Sequence, residues 1–347
     1  NTDTCNLICN PHFEDFDGDC NYNTCNFSSF PVGCMEGWSR MFGSPDYIVS
    51  PPCPNINTGF NFAQLPGSTG GKIALAGRGG FLEVGFHNEA MMTSVDFDSN
   101  KTYILSYHHQ RLNNNTNSAA SLNVGLLQFS DIYWSVTDNG TSAMPSLHQT
   151  LDSIDQSTID NTWTQEVFCF TPSSNDFDII YFQGHTSSSD NYDRRTFIDQ
   201  IELVEDRLQN IQKEYLLGCQ ETVVLGEALC DITNMEYSWW DVTDSNNAIQ
   251  LTQGTAIVNG NVSIPAGSNG SELEISATEN TTFELRRNFV SSNGITIANN
   301  NCNASVQVNV IVDLDITLIK EVIGNGSIST GAPITYQITI TNNTGYP

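Results

Sequence analysis

The first 206 residues break into short runs that alternate apolar and polar side chains, and no stretch of the chain carries a long helical period. A period of two over four to eight residues marks a half-buried strand. Such runs fall at 72–75, 80–84, 102–108, 121–129, 163–171, 177–183 and 197–204, with Asn- and Ser-rich turns at 113–118 and 187–190 between them. Seven or more strands without helices predict an all-β sandwich, most simply a jelly roll, over 1–206. Arg207–Leu217 reads as a short helix or an extended linker. Further strands are expected at 222–225, 237–242, 282–286 and 305–312. An aromatic-bearing early strand and a terminal alternating run predict a second, immunoglobulin-like sandwich over 207–312. Either Trp239 or Trp240 is expected in its core, with the other facing outward.

The run from Asp313 has the same period. Asp313–Lys320 and Ile334–Gly345 each alternate, and two or three strands cannot bury a core alone. The expectation is an incomplete third immunoglobulin-like β domain over 313–347. These residues resemble the opening of a stalk repeat in large bacterial surface proteins, D-L-x-[IV]-x-K followed by Y-x-[IV]-x-[IV]-x-N-x-G. Lys320, Tyr336, Asn342 or Asn343, and Gly345 take those places. The chain is therefore expected to be the N-terminal piece of a longer, string-like extracellular protein.

Charge and cysteine content narrow the classes. A net charge of −27 excludes nucleic acid as a partner, because phosphate binding needs clustered Lys and Arg. It argues equally against an anionic membrane surface, and no apolar run reaches membrane-spanning length. Ten cysteines without a C-x-x-C pair point to an oxidising compartment and disulfides. Cys5, Cys9, Cys20, Cys25, Cys34 and Cys53 crowd the N-terminus, and Cys219, Cys230 and Cys302 follow in the second sandwich. With Cys169 the count is odd in both halves, seven and three. Either one bridge crosses the boundary or each half keeps a free thiol. The reading favours free thiols, with Cys169 buried between Phe168 and Phe170.

Four short motifs come in a familiar order: Asn-Pro-His-Phe-Glu at 10–14, Gly-Trp at 37–38, Gly-Ser-Pro-Asp-Tyr at 43–47 and Phe-Ile-Asp-Gln-Ile-Glu-Leu at 197–203. In that order they resemble the galactose-binding-like, carbohydrate-binding-module-like jelly rolls of secreted and surface proteins in the Bacteroidetes. The pattern there is N-x-x-F-E, G-W, G-[ST]-P-D-Y-F and a closing [IV]-D-[ND]-[IV]-x-[LV] strand. Ile48 and Gln200 depart from it. The resemblance implies first and last strands lying side by side, with a structural calcium held by Glu14 and Asp199. Two carboxylates on neighbouring strands also repel each other unless a cation neutralises them or one is protonated. The Asp15–Asn23 run lacks the glycine of a calcium-binding helix–loop–helix and reads as a disulfide-pinned acidic turn.

Sugar-binding faces combine exposed aromatic rings with polar side chains. Tyr107, His109 and Arg111 share one strand parity, and with Trp134 they are the candidate ligand face. Trp38 and Trp163 are expected in the core. His108 and His109 point to opposite faces and cannot chelate one metal together. No hydrolase, phosphate-loop or dinucleotide motif is present. The expected function is non-enzymatic: the tip of a cell-surface adhesin that binds a glycan or a partner protein for attachment or gliding. The resemblance implies the type IX secretion machinery as its export partner. The alternatives are a binding-module region of a secreted polysaccharide-degrading enzyme, and a structural subunit of a surface filament.

Overall fold

The computed structural model describes residues 5–9, 13, 28–29, 37–42, 46–48, 65, 72–81, 85–112, 121–131, 148–155, 160–185, 193–218, 221–252, 256–257, 260–265, 268–298, 301–312, 316–322 and 336–342. The chain is nearly all β. It divides into two compact units. The first comprises 1–206 together with 230–235 and 289–303; the second comprises 207–229, 236–288 and 304–347.

The first unit is a sandwich of antiparallel strands. On one side Asp160–Phe170, Tyr103–Leu112, Asp193–Glu205, Lys72–Phe81 and Asp46–Ile48 pair in that order. On the other, Trp38–Phe42, Gly85–Ser94, Ile179–His185, Ser121–Leu127 and His148–Ile154 pair in that order. The inward residues Tyr103, Leu105, Tyr107, Phe168, Phe170, Ile180, Phe182, Leu122 and Val124 make one core with Phe13, Trp38 and Met91. Tilted and edge-on ring pairs run through it, Phe13 to Trp38 and Tyr107 to Phe182 among them. Trp163 is buried as well, on the opposite face of its strand. The N-terminal segment lies against the last long strand: Leu7 N–H donates to the Leu203 carbonyl at 2.8 Å, and Leu203 N–H donates to Asn6 Oδ1 at 3.0 Å.

The second unit packs a sheet of Glu214–Leu217, Ala304–Val312, Thr281–Phe289, Met235–Asp241 and Ile249–Gln250 with one of Val223–Gly226, Glu272–Ala277, Gly260–Ser263 and Ala256–Ile257. Trp239 is the core aromatic, surrounded by Leu225, Leu273, Ile275, Phe283, Leu285, Val306 and Val308. Trp240 faces the other way, under the Arg286 guanidinium at 4.3 Å. The 207–217 segment is neither helix nor linker. A single 3-10 turn at Leu208–Asn210 leads into Glu214–Leu217, which pairs parallel to Ala304–Val312, and Leu208, Ile211 and Leu217 are buried in this core.

Ile316–Val322 and Tyr336–Asn342 form a two-stranded antiparallel ladder that pairs Leu318 with Ile340, Lys320 with Ile338 and Val322 with Tyr336. One face is thus apolar apart from Asn342 and Lys320, whose ammonium sits 4.0 Å from the Tyr336 ring centre. Leu318, Ile338 and Ile340 are 65%, 59% and 67% exposed.

Two cysteine expectations are corrected. Cys169 is not a free thiol but bridges Cys302, and Cys5 bridges Cys230, with Cα separations of 5.3 and 5.5 Å. Cys169 pairs across the ladder with Ile104, so it faces away from the core that Phe168 and Phe170 enter, and its sulfur is free to meet Cys302. Cys9, expected in a disulfide, is exposed and free. Cys20, Cys25, Cys34, Cys53 and Cys219 lie outside the described residues.

Candidate functional site

The central strand Tyr103–Leu112 decides what the first unit can present. Tyr103, Leu105, Tyr107 and His109 enter the sandwich; the even positions Ile104, Ser106, His108 and Gln110 face the opposite side, yet all four are buried too. Gln165 and Val167 from the neighbouring strand and Asp199 from the other neighbour lie on that second face, by their register with His108 and Ser106. The cover is Cys230–Met235 and Phe289–Asn303. Gln165 Nε2 donates to Ser106 Oγ and to the Thr233 carbonyl, both at 2.8 Å, while its Oε1 accepts from Asn234 Nδ2 at 2.7 Å. Glu202 accepts the Thr233 N–H at 3.0 Å and its hydroxyl at 3.1 Å, and Gln200 Nε2 donates to the same hydroxyl at 3.1 Å. A buried amide or hydroxyl without partners costs on the order of 1–3 kcal/mol, and here Thr233 and Asn234 supply those partners.

Local backbone explains how these groups converge. The ladder between Asp193–Glu205 and Tyr103–Leu112 shifts register between Asp199 and Glu202, and Gln200 within the bulge has φ of 51°. A bulge re-aims the side chains around it. Asn234 has φ of 65°, a left-handed conformation that Asn tolerates better than most residues. At the far end, Thr296–Ala298 adds to Asp160–Phe170 as a parallel strand, and Cys169 N–H donates to Asn301 Oδ1 at 3.1 Å beside the Cys169–Cys302 bridge.

The expected ligand face is overturned in two of its four members. Tyr107 and His109 do share one strand side, with ring centres 6.0 Å apart, but they lie inside the sandwich at 0% and 2% exposure. Neither offers a ring to an external sugar. The Tyr107 hydroxyl donates to Asp152 Oδ2 at 2.7 Å, and His109 Nε2 lies 3.1 Å from Glu166 Oε1. Arg111 continues the same strand, and Trp134 lies outside the described residues. Alternation alone placed Tyr107 on a face without saying which face was wet; the aromatic-rich partner strand, Phe168 and Phe170, carried that information.

Of the expected calcium pair, Asp199 is buried, its Oδ1 accepting the Gln200 N–H at 2.8 Å, and Glu14 lies outside the described residues. An anionic oxygen is the donor type calcium takes. Among the described residues no group of three or more His, Cys, Asp or Glu side chains is gathered to hold a metal ion. Among the same residues no helix is long and apolar enough to cross a membrane.

In the second unit the half-buried Trp240 ring, Arg286 and Glu284 form an outward row, with Arg286 Nε donating to Glu284 Oε2 at 2.7 Å. Sequence reading assigned no role to that row, and its groups are engaged with one another.

No protein-family model matches the chain, and no curated protein matches it. Solved structures with some likeness include the CBM22-1 xylan-binding domain from Paenibacillus barcinonensis Xyn10C, at 11% identity and a TM-score of 0.30, covering 55% of this chain and 96% of that domain. The K1 cleaved adhesin domain of Lys-gingipain from Porphyromonas gingivalis W83 follows at 15% identity and a TM-score of 0.28, covering 51% and 93%. The enzymatically active domain of bacteriophage CBA120 tailspike protein 4 matches at 10% identity and a TM-score of 0.32, covering 59% of this chain and 22% of that one. At these values the likenesses carry no argument about what this chain binds.

Proposed function

We propose that this chain is an extracellular attachment region: a covalently stapled jelly-roll unit and an immunoglobulin-like unit that bind a glycan or a partner protein without chemistry. The observation that carries the reading is the pair of disulfides, which join residues 225 and 133 positions apart. Such bridges persist outside a reducing cytoplasm. A chain of net charge −27 in that setting fits a hydrated surface role. In this reading the chain is the tip of a bacterial surface adhesin exported by the type IX machinery and used in attachment or gliding. In the same reading the ladder of 316–322 and 336–342 belongs to a stalk repeat, and its exposed apolar face is a surface on which other β structure packs.

The ligand face we propose lies around Arg111 and Trp134, since Tyr107 and His109 are interior. A structural calcium on Glu14 and Asp199 belongs to the same proposal. The test is glycan-array binding by the whole chain, because 230–235 and 289–303 are part of the first unit. It is run with calcium and again with a chelator. Specific binding that is lost on chelation and on Asp199→Asn supports the reading. A folded chain that binds no glycan in either state removes the glycan arm and leaves protein–protein attachment.

A further inference from the structure

Taken together, the two bridges do something neither does alone. Cys5–Cys230 and Cys169–Cys302 interleave along the sequence, so the covalent chain becomes two junctions joined by three parallel arms: residues 6–168, 170–229 and 231–301. Residues 1–4 leave one junction and 303–347 leave the other. Interleaved bridges differ from nested ones in this respect. Whatever unfolds, the junctions cannot separate further than the shortest arm, 170–229, allows. The longest arm, 6–168, holds the strands Lys72–Phe81, Gly85–Ser94, Tyr103–Leu112 and Ser121–Leu127. It is never drawn straight.

We propose that this interleaved pair is a load stop: it limits how far the chain lengthens under tension and keeps most of the jelly roll out of the taut path. The placement supports this. Cys5 lies two residues before Leu7, which is hydrogen-bonded to Leu203. Cys169 lies on Asp160–Phe170, itself paired with the central strand. Cys302 lies two residues before Ala304–Val312, the strand that leads toward the C-terminal ladder. Tension arriving through 304–312 therefore enters the sheet at Asp160–Phe170 through a covalent bond. Its use in attachment rests on the reading above; the stop itself does not.

The prediction is one of lengths, at about 3.5 Å per extended residue. Pulled between residues 1 and 347, the oxidised chain reaches a final length of about 380 Å, and the fully reduced chain reaches about 1,200 Å. Removing one bridge with Cys169→Ser and Cys302→Ser raises the oxidised limit to about 420 Å, and removing the other with Cys5→Ser and Cys230→Ser raises it to about 750 Å. An additional bridge can only shorten the oxidised lengths or leave them unchanged, so each of those is a ceiling. Single-molecule force spectroscopy of the whole chain, with and without reductant, reads them directly. A misfolded variant still reports its length, because the end point depends only on covalent connectivity. Roughly threefold lengthening on reduction, with the four states in the stated order, supports the stop. An oxidised chain longer than about 380 Å, or one that Cys5→Ser with Cys230→Ser does not lengthen, overturns it. Loss of glycan binding changes none of these lengths, so the two proposals fail separately.

Discussion

The two units bury their strands differently. In the second, Thr281–Phe289 alternates cleanly: Thr281, Phe283 and Leu285 point inward while Thr282, Glu284 and Arg286 are half-exposed, and Glu272–Ala277 behaves the same way. In the first, Tyr103–Leu112 alternates in chemistry but not in burial, since Ser106, His108 and Gln110 are as inaccessible as Leu105 and Tyr107. The difference comes from Cys230–Met235 and Phe289–Asn303, whose Thr233 and Asn234 bring hydrogen-bonding groups to that face. Strand parity therefore sets burial along Thr281–Phe289, where even Thr281 and Arg287 are buried with the inward residues, whereas both sides of 103–110 are covered.

The sharpest way to break this comparison is to remove a bridge. Cys169→Ser with Cys302→Ser is expected to cost about 4–5 kcal/mol on a chain-entropy account. The loss should appear as lost amide-exchange protection at Ser106, His108 and Gln110, with Phe283 and Leu285 still protected. Equal loss in both units would mean that the covered face is not separately held. Trp239→Ala should destabilise the second unit by about 3–5 kcal/mol, whereas Trp240→Ala should cost about 1 kcal/mol or less, its main contact being the Arg286 stack. Chemical denaturation of the two variants side by side checks this.

Tyr181 gives a pH handle on the first unit. Burial pushes its phenol from 10.0 up to about 12, while a hydrogen bond with Thr150 pulls the other way. The group binds its proton more tightly folded than unfolded. Its contribution is therefore complete below pH 10 and is lost as pH rises toward about 12. A loss of about 2–3 kcal/mol across that window, flattened in Tyr181→Phe, is the expected result. The smallest contrast pairs one residue from each unit. Gln165→Leu strands Thr233 and Asn234 and should cost about 1–3 kcal/mol; Gln307→Leu, on an exposed position of Ala304–Val312, should stay within about 0.5 kcal/mol. If both are neutral, the covered layer contributes no stability and only shape.

Local pattern was enough for much of the second unit. Met235–Asp241, Thr281–Phe289 and Ala304–Val312 were legible because β-branched and aromatic residues alternate with polar ones. Glu272–Ala277 and Gly260–Ser263 were missed because Gly, Ser, Asn and Glu have low strand propensity, overridden by pairing with each other. Gly85–Ser94 was missed for a similar reason: its Asn, Glu, Ala and Met do not resemble a strand, although Met91 sits at the centre of the core. The candidate site was legible only as a strand side. Tyr107 and His109 were placed together correctly and on the wrong side of the water boundary.

What the sequence determined by itself was the class: alternation without helical period specifies β-sandwiches, ten cysteines specify an oxidising environment, and the apolar alternation after Asp313 specifies a ladder with an uncovered face. Tertiary structure alone decided which cysteines meet, which face of the central strand is wet, and that residues 230–235 and 289–303 complete the first unit. The reason is range. Periodicity reports the side of a strand a residue occupies, a property of its immediate neighbours. What covers that side, and which thiol comes within bonding distance, is set by segments tens to hundreds of residues away, whose arrival leaves no mark on the local pattern.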